Sequence, residues 1–143
     1  MLKRIKIVIS TLCLGLLVGC TSSLSWDDNI KKDIELLKNN NFYAYVLNSK
    51  EDIQEYNEGT NKEIKQEGYN FTVKFVNVYN MIETETSVSD YIAFAELSTK
   101  EEAKNYYTFL NRENRMYKMY ISETIAIITT SDKAIELLNY KFK

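Results

Sequence analysis

Apolar residues recur along this chain with two periods, and the changes of period divide it into elements. Ile30, Ile34 and Leu37 follow at i, i+4, i+7, the spacing that places side chains on one stripe of a helix. Ser25 with Asp28 three residues on supplies an N-terminal capping signal, so a helix is predicted that ends near Asn39. Phe42 to Leu47 reads as a strand. Ser49 with Asp52 repeats the capping signal, and Ile53, Tyr56 and Ile64 line a weaker helical face, doubtful in its middle at Gly59 and stopped by Gly68. Phe71, Val73 and Phe75 then alternate with Thr72 and Lys74 and continue through Val76, Val78 and Ile82 as a long strand whose faces are both partly apolar towards its end. A polar turn, Glu83 to Asp90, leads to a second strand from Tyr91 to Leu97.

The best-defined element begins at Thr99, where Glu102 completes a capping box and Ala103, Tyr106, Tyr107 and Leu110 give i, i+3, i+4, i+7 spacing. Met116 to Ile121 and Thr124 to Thr130 are rich in strand formers and separated by Ser122-Glu123, which predicts a hairpin without the usual glycine. Ser131 caps a last helix carrying Ala134, Ile135 and Leu138. The order α-β-α-β-β-α-β-β-α predicts an α+β fold, a mainly antiparallel sheet with helices packed on it. From Phe42 the chain follows a split β-α-β-β-α-β order, so the finer expectation is a ferredoxin-like sandwich with an added strand and terminal helices.

The first twenty residues obey neither period. Lys3, Arg4 and Lys6 precede thirteen uncharged, mostly apolar residues, Ile7 to Gly19. As a helix this run would reach roughly 20 Å, short of the roughly 30 Å hydrocarbon core, so it suits a removable signal peptide better than a permanent span. It ends in Leu17-Val18-Gly19-Cys20, which resembles the lipobox of bacterial lipoproteins. The resemblance covers only these twenty residues. It implies that the Cys20 thiol receives a diacylglyceryl group and that a lipoprotein signal peptidase cuts before it. Residues 1–19 would then be removed, 20–25 would be a lipidated tether, and 26–143 a single domain on the extracytoplasmic face of the cell membrane. Thr21 to Ser25, fully extended, reaches only about 17 Å, which keeps the domain close to the bilayer.

Composition narrows the chemistry. Removing 19 of 143 residues leaves 124, enough for one core but not comfortably two. The remaining fifteen basic and twenty acidic residues balance at −5, unlike a nucleic-acid-binding surface. Cys13 leaves with the signal and Cys20 is consumed by lipid, so the domain has no disulfide and no thiol nucleophile. Histidine is absent, which removes Ser-His-Asp machinery and the commonest zinc ligand. Only Gly59 and Gly68 remain beyond the signal, too few and too scattered for a loop that cradles phosphate. All eighteen aromatics lie in the domain and can fill a core without disulfides. The abundance of Asn, Lys, Ile and Tyr, with no Pro, suits an AT-rich genome and a Gram-positive source.

Four groups invite a sharper reading, and each has a plainer one. Met116 and Met119 suggest a soft metal, but residues three apart on a strand point to opposite faces. Tyr117 and Tyr120 invite a haem reading and fail on the same geometry. Glu83, Glu85 and Asp90 could offer oxygens to Ca²⁺, yet their turn lacks the glycine and ligand order of a calcium loop. Trp26 with Lys31 and Lys32 could touch a membrane interface, although Asp27 and Asp28 offset the charge and an ordinary helix start suffices. No catalytic residue, metal or cofactor is therefore assigned. The expected partners are the membrane, through the lipid on Cys20, and an envelope protein; no nucleic acid is expected. The expected function is a non-enzymatic binding module, with a small-ligand carrier or transporter accessory as the alternative and a carboxylate-based enzyme third. An open sheet edge or exposed apolar patch would favour the module, an enclosed apolar cavity the carrier, and a deep pocket with convergent buried carboxylates the enzyme.

Overall fold

The computed structural model describes residues 26–45, 49–83, 90–112 and 117–143. Ser25, the end of the first expected strand, most of the turn after Glu83, and Met116 lie outside the described residues. Helix α1 spans Asp28–Lys38, and its first amides are capped by Asp27, whose carboxylate accepts from Asn29 and Ile30 N–H at 2.8 and 2.9 Å. Asn41, at φ 68°, turns the chain into strand β1, Phe42–Tyr45. Helix α2, Lys50–Gln66, opens on the expected Ser49/Asp52 capping box and runs unbroken through Gly59. A single glycine costs a helix only about 1 kcal/mol, and the capping box and packed Ile64 outweigh it. Gly68, at φ 84°, ends α2 in a Schellman motif: its N–H donates to Lys65 O, and Tyr69 N–H reaches back to Ile64 O.

Strands β2 (Phe75–Glu83) and β3 (Tyr91–Leu97) follow, then helix α3 (Lys100–Leu110), capped by Thr99, whose hydroxyl accepts from Glu102 N–H. Strands β4 (Lys118–Ser122) and β5 (Ile125–Thr129) form the expected hairpin, but Glu123-Thr124 makes the turn. Glu123 takes a positive φ of 55° there, the conformation a glycine would otherwise supply. Ser131 caps the short α4, Asp132–Leu137.

The five strands form one antiparallel sheet in the order β1-β2-β3-β5-β4. The ferredoxin-like order is not confirmed. A split crossover would set β1 apart from β2, whereas β1 is an edge strand hydrogen-bonded directly to β2. The physical reason lies in α2, which runs along the margin of β2 instead of carrying the chain across the sheet. Only the second half keeps a split: β3 and β4 run the same way, with β5 between them.

Both sheet faces are covered. Ile64 of α2 and Ala103, Tyr106, Phe109 and Leu110 of α3 pack on one face, over Val78, Ala95, Ala126 and Ile128. Ile30, Ile34 and Leu37 of α1 and Ala134 of α4 pack on the other, over Met81, Ile92, Phe94 and Ile127. Two covered faces explain why β3 and β5 read as nearly continuous apolar runs. In β2 a bulge adds Val76, which is exposed, and so transfers the apolar positions from one parity to the other. That switch is why the sequence there looked apolar on both faces. Arg112 ties the helices of one layer together, its guanidinium 2.5 Å from Glu63 and 4.0 Å above the Phe109 ring.

Candidate functional site

Three surfaces could do chemistry or binding, and they can be ranked from their side chains. The first is a cleft of about 610 Å³ between α2 and the segment 72–75, lined by Lys50, Gln54, Asn57, Glu58, Asn61 and Lys74 among others. Its floor is already committed. Asn61 accepts from Val73 N–H at 2.8 Å and donates to Val73 O at 2.7 Å, and Asn57 does the same to Phe75 at 2.7 and 3.1 Å. The two amides, one helical turn apart, thus serve as a substitute strand along the margin of β2 that β1 leaves uncovered. The cleft they floor is wide open to solvent.

The second is a group of tyrosines between α2, α3 and the sheet. Tyr56 and Tyr106 hydroxyls lie 3.3 Å apart, and the Tyr91 and Tyr117 rings meet edge to face at 6.0 Å. Burial raises the pKa of Tyr56, Tyr91 and Tyr106, and Tyr117 adds to the rise, while the hydrogen bond between Tyr56 and Tyr106 lowers that of Tyr56 and raises that of Tyr106. These three phenols stay neutral at ordinary pH, which disables them as bases and as anionic ligands. They make a polar seam in a packed layer.

The third is the edge at β1. The opposite edge strand, β4, is partly covered, because Met119 and Lys143 exchange backbone hydrogen bonds of 2.9 and 3.0 Å. Among the described residues no strand lies outside β1. Eleven consecutive residues, Asn39 to Ser49, carry neither charge nor proline, although charge, proline and bulges are the usual protections of a bare edge. Tyr43 is 57% exposed and sits opposite Ile82, itself 37% exposed. Ile82 in turn faces Tyr91, so Tyr43, Ile82, Tyr91 and Tyr117 form one row on the sheet face that carries α2 and α3.

Among the described residues, the groups singled out from sequence do not assemble into a centre. Cys20, Glu85 and Met116 lie outside the described residues. Met119 is buried in the α2/α3 layer. Tyr117 and Tyr120 point to opposite faces: Tyr117 meets Tyr91, while Tyr120 stacks on Tyr140 at 4.5 Å and approaches Phe142 at 6.4 Å. Glu83 is only 5% exposed and lies 2.5 Å from Lys133 Nζ, which turns its carboxylate inward, away from the turn it was expected to serve. Among the described residues no three Asp, Glu, His or Cys side chains are arranged to hold a metal ion. Trp26 is 3% exposed, packed in the α1/α4 layer with Ile30, so it cannot lie in a membrane interface; Lys31 pairs with Asp28 on the surface. No described helix is long and apolar enough to cross a membrane.

Sequence reasoning missed the asparagine pair and the bare edge. Asn57 and Asn61 at i, i+4 were a visible signal, since both amides fall on one helix face. The charge-free run around β1 was visible too, but its meaning depends on a sheet order that no local pattern reveals. Comparison with known protein families, characterised proteins and solved structures finds no match.

Proposed function

We propose that this chain is a lipid-anchored lipoprotein of the extracytoplasmic face of the cell membrane, and that its domain is a non-enzymatic binding module of the cell envelope. The anchor reading rests on the basic start, the apolar run and Leu17-Val18-Gly19-Cys20. The observation that carries the binding reading is the edge at β1: an uncharged strand with exposed Tyr43, backed by Ile82. Such an edge recruits a further strand through main-chain hydrogen bonds.

The alternatives have less support. A carrier encloses its ligand in a largely apolar cavity, whereas the cleft beside α2 is open and its amides are engaged with the backbone. A carboxylate enzyme needs convergent acids, and buried Glu83 is turned to Lys133. The test is membrane fractionation with labelled palmitate. Wild type should carry label and stay with membranes through a high-salt wash, and Cys20→Ala should carry none. Label missing from wild type, or retained by Cys20→Ala, would remove the anchor on which the reading depends.

A further inference from the structure

The occupant of the β1 edge can be derived from its geometry. Glu83 N–H donates to Asp90 O, so the backbone groups of Glu83 face β3 and, by alternation, those of Ile82 and Asn80 face β1. Their Cα partners are Tyr43 and Tyr45, whose backbone groups therefore face β2. The N–H and C=O of Phe42 and Ala44 are directed outward.

We propose that a second copy of this chain pairs with that edge, joining two five-stranded sheets into one ten-stranded antiparallel sheet about a two-fold axis at Tyr43. The symmetry itself selects this register. Two antiparallel strands related by a two-fold normal to the sheet must pair residues of the same parity, because directly opposed side chains share a face. The axis must then pass through a residue, Tyr43 or Ala44, and not between them. An axis at Tyr43 sets Phe42 against the partner's Ala44 and Ala44 against the partner's Phe42. Both outward-facing residues then exchange N–H and C=O bonds, and every outward backbone group of β1 is satisfied. An axis at Ala44 would leave Phe42 without a partner inside β1.

Three further observations favour a copy of the same chain. The edge is self-complementary in charge, since Asn39 to Ser49 bears none to repel itself. With Tyr43 opposite the partner's Tyr43, the apolar row of Tyr43, Ile82 and Tyr91 becomes continuous across both copies. The third rests on the lipoprotein reading. A two-fold normal to the sheet leaves both α1 helices on one face, so Trp26, the first residue after the tether, lies on the same side in both copies, as attachment to one bilayer requires. Four strand residues are a small interface, and confinement of both copies to a membrane supplies the effective concentration that so small a contact needs.

The domain lacks cysteine, which makes the test direct. At a non-hydrogen-bonded antiparallel pair the Cα atoms are about 4.5 Å apart, within disulfide range. Tyr43→Cys in the full-length chain, oxidised in intact membranes, should run as a reducible dimer at least about tenfold more abundant than with Lys62→Cys, an exposed position on α2. Ala44→Cys should cross-link poorly. A preference for Ala44→Cys would overturn the register, and a Tyr43→Cys adduct with a different protein would overturn the second copy in favour of a heterologous strand. Equal yields from Tyr43→Cys and Lys62→Cys would overturn the pairing. Palmitate labelling of the same membranes keeps the two readings separate: label with no cross-link refutes the dimer alone, while a reducible dimer of wild type exposes a free Cys20 thiol and refutes the anchor.

Discussion

Asn61 binds Val73 as a neighbouring peptide group would, its Oδ1 accepting the Val73 N–H at 2.8 Å and its Nδ2 donating to the Val73 carbonyl at 2.7 Å. Val73 is buried but both bonds are only part-buried at the floor of an open cleft, so water replaces the amide in part. Asn61→Ala should therefore leave this donor and acceptor poorly satisfied and lower stability by about 1 kcal/mol. Asn61→Asp should also destabilise, because it keeps the acceptor but sets a charge against the Val73 carbonyl. Urea unfolding of residues 26–143 measures both. A loss under about 0.5 kcal/mol for Asn61→Ala would mean that the edge is satisfied some other way.

Glu83 closes β2 with a buried carboxylate 2.5 Å from Lys133 at the start of α4. Removing one partner of a buried pair costs about 3–5 kcal/mol, and the partial exposure of Lys133 screens the pair and reduces that figure. Lys133→Met should cost about 2 kcal/mol and Glu83→Gln less, since only the first leaves a buried charge without that cation. Thermal or urea unfolding gives the order. The reverse order would show that Lys133 is not what stabilises the carboxylate.

The tyrosines of the α2/α3 layer, Tyr106 buried and Tyr56 and Tyr91 half-buried, set the alkaline limit of the fold. Burial raises the pKa of Tyr56, Tyr91 and Tyr106 above that of an unfolded tyrosine, so the folded state resists the ionisation that the unfolded chain accepts. Stability is fully present below the unfolded value of about 10 and falls as pH rises beyond it. Tyr56, Tyr91 and Tyr106 should ionise only as the sheet unfolds. Tyrosinate absorbance followed together with circular dichroism should show a cooperative ionisation step coincident with unfolding. Complete ionisation with the circular dichroism unchanged would contradict the buried seam.

What could be read from sequence follows from how local each signal is. The helix from Thr99 was legible because its cap and its apolar stripe lie within twelve residues, Thr99 to Leu110. Residues 71–74 alternate like a strand yet lie outside the ladder: Asn61 of α2 satisfies the outward groups of Val73, and alternation cannot distinguish a side-chain partner from a strand. The ferredoxin-like order was inferred from succession, but which strands become neighbours is decided by how the intervening helix packs, and α2 stays at the margin. Glu83 seemed a turn residue because Lys133, fifty positions later, is invisible to a local reading. The edge at β1 was half legible, as a charge-free run without a place in a sheet.

Whether lipid holds this chain to the membrane is decided at Cys20. Mass spectrometry of the N-terminal peptide of the protein recovered from cell membranes tests it most directly. The predicted result is a mature chain whose first residue is Cys20, its sulfur carrying a diacylglyceryl group with two acyl chains, the number that makes membrane anchoring stable. A peptide that runs through Gly19-Cys20 with a free thiol, or a mature chain that begins after Cys20, would contradict it.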